Sequence, residues 1–243
     1  MNEIISWPVA RATLKSRLRS AGPWIVGLVF AATAALPFGP RSSGAESFTG
    51  PSAIWFVVLT FTLGTAILSE EIESGHAQLV LLRPLTRAAW FGGRLAGACA
   101  ALALFCALAW LASFTGATAR GYGFELKRLA ALPLAILWGS AWLSVLACLG
   151  AFLPGWTNGG ALALAILGWM LLVALAAGLR PQWGPTLQAV TKLLGPQDPL
   201  VLLDPALPRR DFGPALYDIV WLFAPWLAGV AIFNRRELAR RRG

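Results

Sequence analysis

The chain has 243 residues, 57% hydrophobic and 13% charged, with a mean hydropathy of +0.66 and a formal net charge of +9. A soluble domain is about 45–50% apolar and about 25% charged, and a fold of this length cannot bury so much apolar surface, which excludes an ordinary soluble enzyme and indicates an integral membrane protein. The basic residues sit mostly between apolar blocks, so they read as topology signals and not as a nucleic-acid footprint.

Residues 1–21 carry Arg11, Lys15, Arg17 and Arg19. Arg11, Lys15 and Arg19 recur at i, i+4 and i+8, one face of a helix. Ile4, Ile5, Trp7, Leu14 and Leu18 lie loosely opposite, and Pro8 suits a first turn. The pattern predicts an amphipathic helix in the membrane interface, the charged lead-in of a first membrane helix being the alternative. No small-residue cleavage site follows, so a removable signal peptide is not expected.

Gly22 to Pro40 carries no charge, and at about 1.5 Å per residue it spans about 28 Å, close to a hydrocarbon core of about 30 Å. Further uncharged runs cover Pro51 to Ser69 and Leu95 to Ala119. The stretch Leu129 to Leu179 is long enough for two spans, broken at Pro154-Gly155-Trp156-Thr157-Asn158. A last run, Phe212 to Asn234, holds one charge, Asp218, near its start. The runs are continuously apolar and do not alternate, so helices are expected and not a barrel. The fold expected is an all-α integral membrane protein forming a single transmembrane domain over 1–243. It has six transmembrane helices, at about 22–40, 51–69, 95–119, 129–153, 159–179 and 212–234. An N-terminal interfacial helix covers 1–21, a cytosolic loop 70–94 and an outer segment 180–211.

Trp24, Trp55, Trp138 and Trp183 fall near expected span ends, as an aromatic belt would place them; Trp110, Trp142 and Trp169 lie deeper and read as packing residues. With six spans both termini share a side. That side carries twelve Lys and Arg against eight on the other, which places both termini in the cytoplasm of a multi-pass protein of the cell (inner, cytoplasmic) membrane. In the outer segment Leu187, Val190 and Leu194 suit a short amphipathic helix, broken up by Pro196, Pro199, Pro205 and Pro208; it lies on or dips into the outer surface, or is an ordered loop.

Cys99, Cys106 and Cys148 all sit inside apolar runs, and His76 is the single histidine, so neither a disulfide framework nor a metal centre is indicated. The chain contains no G-x-x-x-x-G-K-[ST] phosphate loop. The spans lack the buried charges of an ion relay, Asp218 excepted. Small residues are plentiful on the third span (Gly97, Ala100, Ala101, Ala103, Ala107) and the fifth (Gly159, Gly160, Ala163, Ala165), serving internal packing or a dimer seam. Thr33, Thr60, Thr62, Thr65, Ser140 and Ser144 could line a path, although bonding back to their own helix is the default.

The informative stretch runs from Ser69 to Arg87. Glu70, Glu71 and Glu73 stand at the cytosolic end of the second span, and Gly75 and Pro84 bracket about two turns rich in Leu and Val, including Leu79 and Leu82. A compact apolar helix on the cytosolic side suits docking into a groove of another protein. Glu70, Glu71 and His76 could be read as an intramembrane protease site, but such a site needs further histidines on other helices, and the chain has none.

Glu71, Glu73, Gly75, Leu79, Pro84 and Arg87, with Arg94 seven residues on, resemble the loop between the second and third spans of ABC-2-type transporter permeases. The family has Thr after the glycine, where this chain has His76. The basic N-terminus, the six spans and the Arg-rich end after Ile232-Phe233 are similar to the same family, and Leu36 to Pro40 with Pro51 and Trp55 looks mildly like its haem-exporter-like class. The resemblance implies a permease subunit, not itself an enzyme. It would pair with a second permease subunit as a homo- or heterodimer, be served by a separate ABC ATPase subunit, and contact membrane lipid but no nucleic acid. No cofactor belongs to this chain; ATP and Mg sit on the partner ATPase. Glu70, Glu71, Glu73, Gly75, His76, Leu79, Leu82, Arg83, Pro84 and Arg87 would form the coupling helix against the ATPase, and the helix bearing Arg11, Lys15 and Arg19 would be the connecting helix. Few polar groups in the spans suit export of a hydrophobic or amphiphilic molecule. A membrane scaffold without transport of its own is the alternative.

Overall fold

Uncharged runs bounded by charge and by proline can satisfy their backbone in lipid only as helices, and helices are what form. A computed structural model describes residues 5–36, 51–65, 67–68, 85–121, 126–153, 157–179, 181–203 and 212–240. Among these, the regular structure is α1 (Trp7–Arg19), α2 (Ala21–Ala34), α3 (Pro51–Gly64), α4 (Arg87–Thr118), α5 (Leu126–Gly150), α6 (Thr157–Leu179), α7 (Gly184–Leu193) and α8 (Gly213–Arg240), with short 3-10 turns at Pro181–Trp183 and Pro199–Leu203.

Among the described residues four helices are long and apolar enough to cross a membrane: α4, α5 from Leu129, α6 to Ala176 and α8 to Phe233. The protein is therefore a multi-pass membrane protein by helix length and composition. The first two expected spans are shorter than their uncharged runs. α2 and α3 have 14 residues each, about 21 Å at 1.5 Å per residue. α3 stops at Gly64, and the chain then turns, with the Ile67 N–H donating to the Gly64 carbonyl at 3.3 Å. A glycine followed by the β-branched Thr65 is a weak continuation of a helix. The third helix departs the other way. Residues 87–94, expected in a loop, are the first two turns of α4, because the Thr86 hydroxyl accepts from the Ala89 N–H (3.1 Å) and caps it.

The helices pack around one aromatic and leucine core shared by α2 to α5. Phe30, Phe56, Leu59, Leu63, Leu102 and Phe105 are buried there. Trp138 stacks on Phe56 with ring centroids 5.2 Å apart, and Trp24 meets Phe105 edge to face at 5.2 Å. Trp24 and Trp138, expected at the belt, thus point into the bundle; the Trp24 indole N–H donates to the Leu18 carbonyl at 2.7 Å. α5 pairs most extensively with α8, where the Ser144 hydroxyl donates to the Leu222 carbonyl at 2.7 Å, one turn before Pro225.

Contacts sort the ends of the bundle. Phe233, near the end of α8, stacks on Trp90 in the opening turns of α4 (5.5 Å), beside α1. Asn158 at the start of α6 donates to the Leu146 carbonyl (3.1 Å) at the close of α5. Gly159 abuts Thr65 at the end of α3. At the opposite end the Ala35 carbonyl meets Gly116 and accepts from Arg120 at 2.9 Å, and there the second turn of α8 meets the end of α7 and the segment after it. Both ends of the described chain therefore share one end of the bundle with the two stems of the 66–86 connection.

Of the four long apolar helices α6 is the least embedded: 6% of its apolar stretch is buried, and Leu164, Leu167, Met170 and Leu171 face outward. Trp169, expected as a packing residue, instead donates to the Thr191 hydroxyl of α7 at 2.9 Å.

Candidate functional site

Glu70, Glu71, Glu73, Gly75, His76, Leu79, Leu82, Arg83 and Pro84 lie outside the described residues. Arg87 is described and opens α4. What the structure does show is how the two stems of that connection are held, and the holder is α1.

α1 forms because Pro8 sits in its first turn, where a missing N–H costs nothing, and because Ala10, Leu14, Lys15, Arg17 and Leu18 favour helix. Its inward face is small. Ala10 and Thr13 are buried, as is Ser6 just before the helix. Opposite them, Gly93 and Gly97 of α4 are four residues apart, so both lie on one face, and the backbones meet there. A Cβ at Gly93 would stand 2.7 Å from the Ser6 carbonyl oxygen; one at Gly97 would stand 2.5 Å from that of Ala10 and 2.6 Å from Thr13 Cβ.

Polar bonds then fix the register. The Ser6 N–H donates to the Ala89 carbonyl at 3.0 Å, reaching the first turn of α4. Arg94 Nη1 donates to Thr13 Oγ1 at 3.2 Å, and its guanidinium lies 5.8 Å from the centre of the Trp90 ring. At the other end of α1, Arg17 Nη2 donates to the Thr65 carbonyl at 3.2 Å. Thr65 follows the last residue of α3, where helix carbonyls lack intrahelical donors and the dipole favours a cation. One helix of 13 residues therefore ties together the residue that precedes the 66–86 connection and the turn that follows it. Ile67 and Leu68 are buried in the core on one side of the gap and Leu85 packs against it on the other.

Arg11, Lys15 and Arg19 are all exposed, as their spacing predicts, and none makes an ion pair with another described residue. Trp7 is 72% exposed beside them. Arg17, in contrast, turns inward. The spacing of the cations alone separates it from the other three. The pair Gly93 and Gly97, which seats α1, was legible as a G-x-x-x-G spacing in Phe91-Gly92-Gly93-Arg94-Leu95-Ala96-Gly97.

The opposite end of the bundle holds the one acid of the spans. Asp218 is fully buried, and its Oδ1 accepts the Gln197 N–H at 2.8 Å. Next to it the Tyr217 hydroxyl donates to the Leu193 carbonyl at 2.7 Å. These two side chains strap the 193–197 stretch to α8. The expected short helix there is α7, and the prolines after it do more than break it: Pro196, Pro199 and Leu200 are buried, so residues 195–203 dip into the bundle. Burial raises the Asp198 carboxyl above its ordinary range, and the Leu200 N–H that it accepts pulls it part of the way back.

Four of the span hydroxyls bond back to their own helix, whereas that of Ser144 bonds across to α8. Thr33, Thr60, Thr62 and Thr65 each donate to a carbonyl of their own helix. Among the described residues no three of His, Cys, Asp and Glu converge on a common point. The stem region offers positional control and positive charge. No family model matches the chain, and no curated protein matches it.

Proposed function

We propose that the chain is the permease subunit of an ABC-2-type transporter, exporting a hydrophobic or amphiphilic molecule with ATP hydrolysed by a separate subunit. The observation that carries this reading is that α1 bridges the two stems of the 66–86 connection, through Thr65 and through Ala89 and Gly97. A force applied by a partner to residues 70–84 would enter the bundle through α3 and α4, and α1 couples those two entries. The resemblance of Glu71, Glu73, Gly75, Leu79, Pro84 and Arg87 to the permease coupling loop supplies the identity of that partner, an ABC ATPase.

In this reading α2 and α3 also cross, giving six spans. Support comes from α2 itself, which follows α4 from Phe105 beside Trp24 to Gly116 beside the Ala35 carbonyl. The excess of Lys and Arg at the end shared by both termini makes that end cytoplasmic. ATP and Mg act on the partner, and a ligand bound there drives a change in the permease only by binding its two states unequally.

The test is purification of the tagged chain in mild detergent with its native neighbours, followed by mass spectrometry and ATPase assay. A stoichiometric P-loop ATPase, whose coupled transport is lost on Arg87→Glu, is the expected result. A folded chain with no such partner, and no crosslinks from residues 76–82, would instead make it a membrane scaffold.

A further inference from the structure

We infer that the cleft between α1 and α4 is a binding site for an anionic phospholipid. This rests on the membrane-spanning character of α4 and not on the transporter reading. The cleft has a volume of about 710 Å³ and is lined by Trp7, Leu14, Ala96 and Ala100 together with Arg11 and Lys15.

Its origin is the close crossing at Gly93 and Gly97. Backbones in contact there leave space beside them, and the flanking residues on α4, Ala96 and Ala100, are too small to fill it. The walls are apolar, while Arg11 and Lys15 stand one turn apart on the same face of α1 and make no ion pair with another described residue. Two cations with no ion-pair partner among the described residues, beside an apolar lining, match a negatively charged headgroup with an acyl chain below it, the pairing that basic clefts between membrane helices select. Depth agrees. Arg94 is the last charge before the uncharged run of α4, and Ala100 lies about 9 Å beyond it at 1.5 Å per residue. The cleft therefore begins at headgroup level beside Arg94 and extends along the uncharged run of α4. Trp7, 72% exposed, is the type of side chain that settles at that level. Volume argues against a bare inorganic ion: at about 30 Å³ per water in the liquid, the cleft equals roughly twenty waters, and one phosphate would leave most of it empty.

The experiment is native mass spectrometry of the full-length protein released from nanodiscs of mixed phosphatidylglycerol and phosphatidylcholine. One phosphatidylglycerol per chain should survive activation under which phosphatidylcholine is stripped. Arg11→Gln with Lys15→Gln should weaken that retention about thirty-fold, the loss expected for two cations near an anionic surface. Ala100→Phe, at an exposed position, should abolish it by filling the cleft while leaving both cations. Arg19→Gln, which removes a cation of the same helix that does not line the cleft, should leave it unchanged. Equal retention of the two lipids, full retention in Ala100→Phe, or a loss in Arg19→Gln as large as in the double variant would each overturn the site. Displacement of the lipid by inorganic phosphate alone would reassign it to a simple anion.

Discussion

Gly97→Ala adds one methyl group where α1 crosses α4, and its expected effect follows from the geometry. The new Cβ would stand 2.5 Å from the Ala10 carbonyl oxygen and 2.6 Å from Thr13 Cβ. The first is backbone and the second is the root of a buried side chain, so no rotamer change relieves the clash; α1 must move outward by about 1 Å. Overpacking of this kind costs about 1–3 kcal/mol. The same movement stretches the 3.2 Å bond from Arg94 to Thr13, and a hydrogen bond to a charged group is worth about 1.5–3 kcal/mol. Alanine returns up to about 1 kcal/mol over glycine inside a helix. The net is about 1.5–5 kcal/mol against docked α1, so the undocked population should rise at least about ten-fold. Trypsin reads this directly, because Arg11, Lys15, Arg17 and Arg19 are all on α1; the initial cleavage rate within 11–19 in mild detergent should rise by that factor. Gly168→Ala is the control. Nothing lies within 4 Å of its added Cβ, so the same change should leave cleavage unaltered and hold or slightly raise the thermal midpoint. An unchanged trypsin rate in Gly97→Ala would refute the seating of α1 on the two glycines.

Arg17→Gln removes the guanidinium from the Thr65 carbonyl, and amide hydrogen exchange over 62–68 should quicken while exchange in α8 stays as it was; uniform quickening would show a general loss of fold instead. Asp218→Asn keeps an oxygen for the Gln197 N–H and removes a fully buried charge site, so its thermal midpoint should match or exceed that of the parent. Asp218→Ala leaves that N–H without its acceptor and should cost about 1–3 kcal/mol. Equal damage from both would mean that the carboxylate itself, and not its acceptor oxygen, holds the outer segment.

The hydropathy pattern alone was enough for the class of molecule, because a backbone in lipid has so few ways to satisfy its hydrogen bonds. It located the helices better than their ends. Uncharged residues continue to Ser69, yet helix α3 ends at Gly64; the next uncharged run begins only after Arg94, yet α4 begins at Arg87. Charge marks where lipid stops, whereas helix ends answer to caps and glycines such as Thr86 and Gly64. The exposed face of Arg11, Lys15 and Arg19 was legible for a similar reason: a periodicity within one helix needs no neighbour to be read. The inward turn of Arg17 was not, since its partner is a carbonyl 48 residues away.

The sequence by itself thus determined a multi-pass helical membrane protein, and the exposed face of Arg11, Lys15 and Arg19, through composition, run length and helical period. Tertiary structure alone decided that α1 seats on Gly93 and Gly97, ties Thr65 to the first turn of α4, and leaves a cation-lined cleft beside Ala96 and Ala100. It also decided that Asp218 holds residues 195–203 in the bundle and that α6 stands mostly outside it. The reason is that periodicity assigns a residue to a face, but what that face meets is set by contacts between segments far apart in the chain.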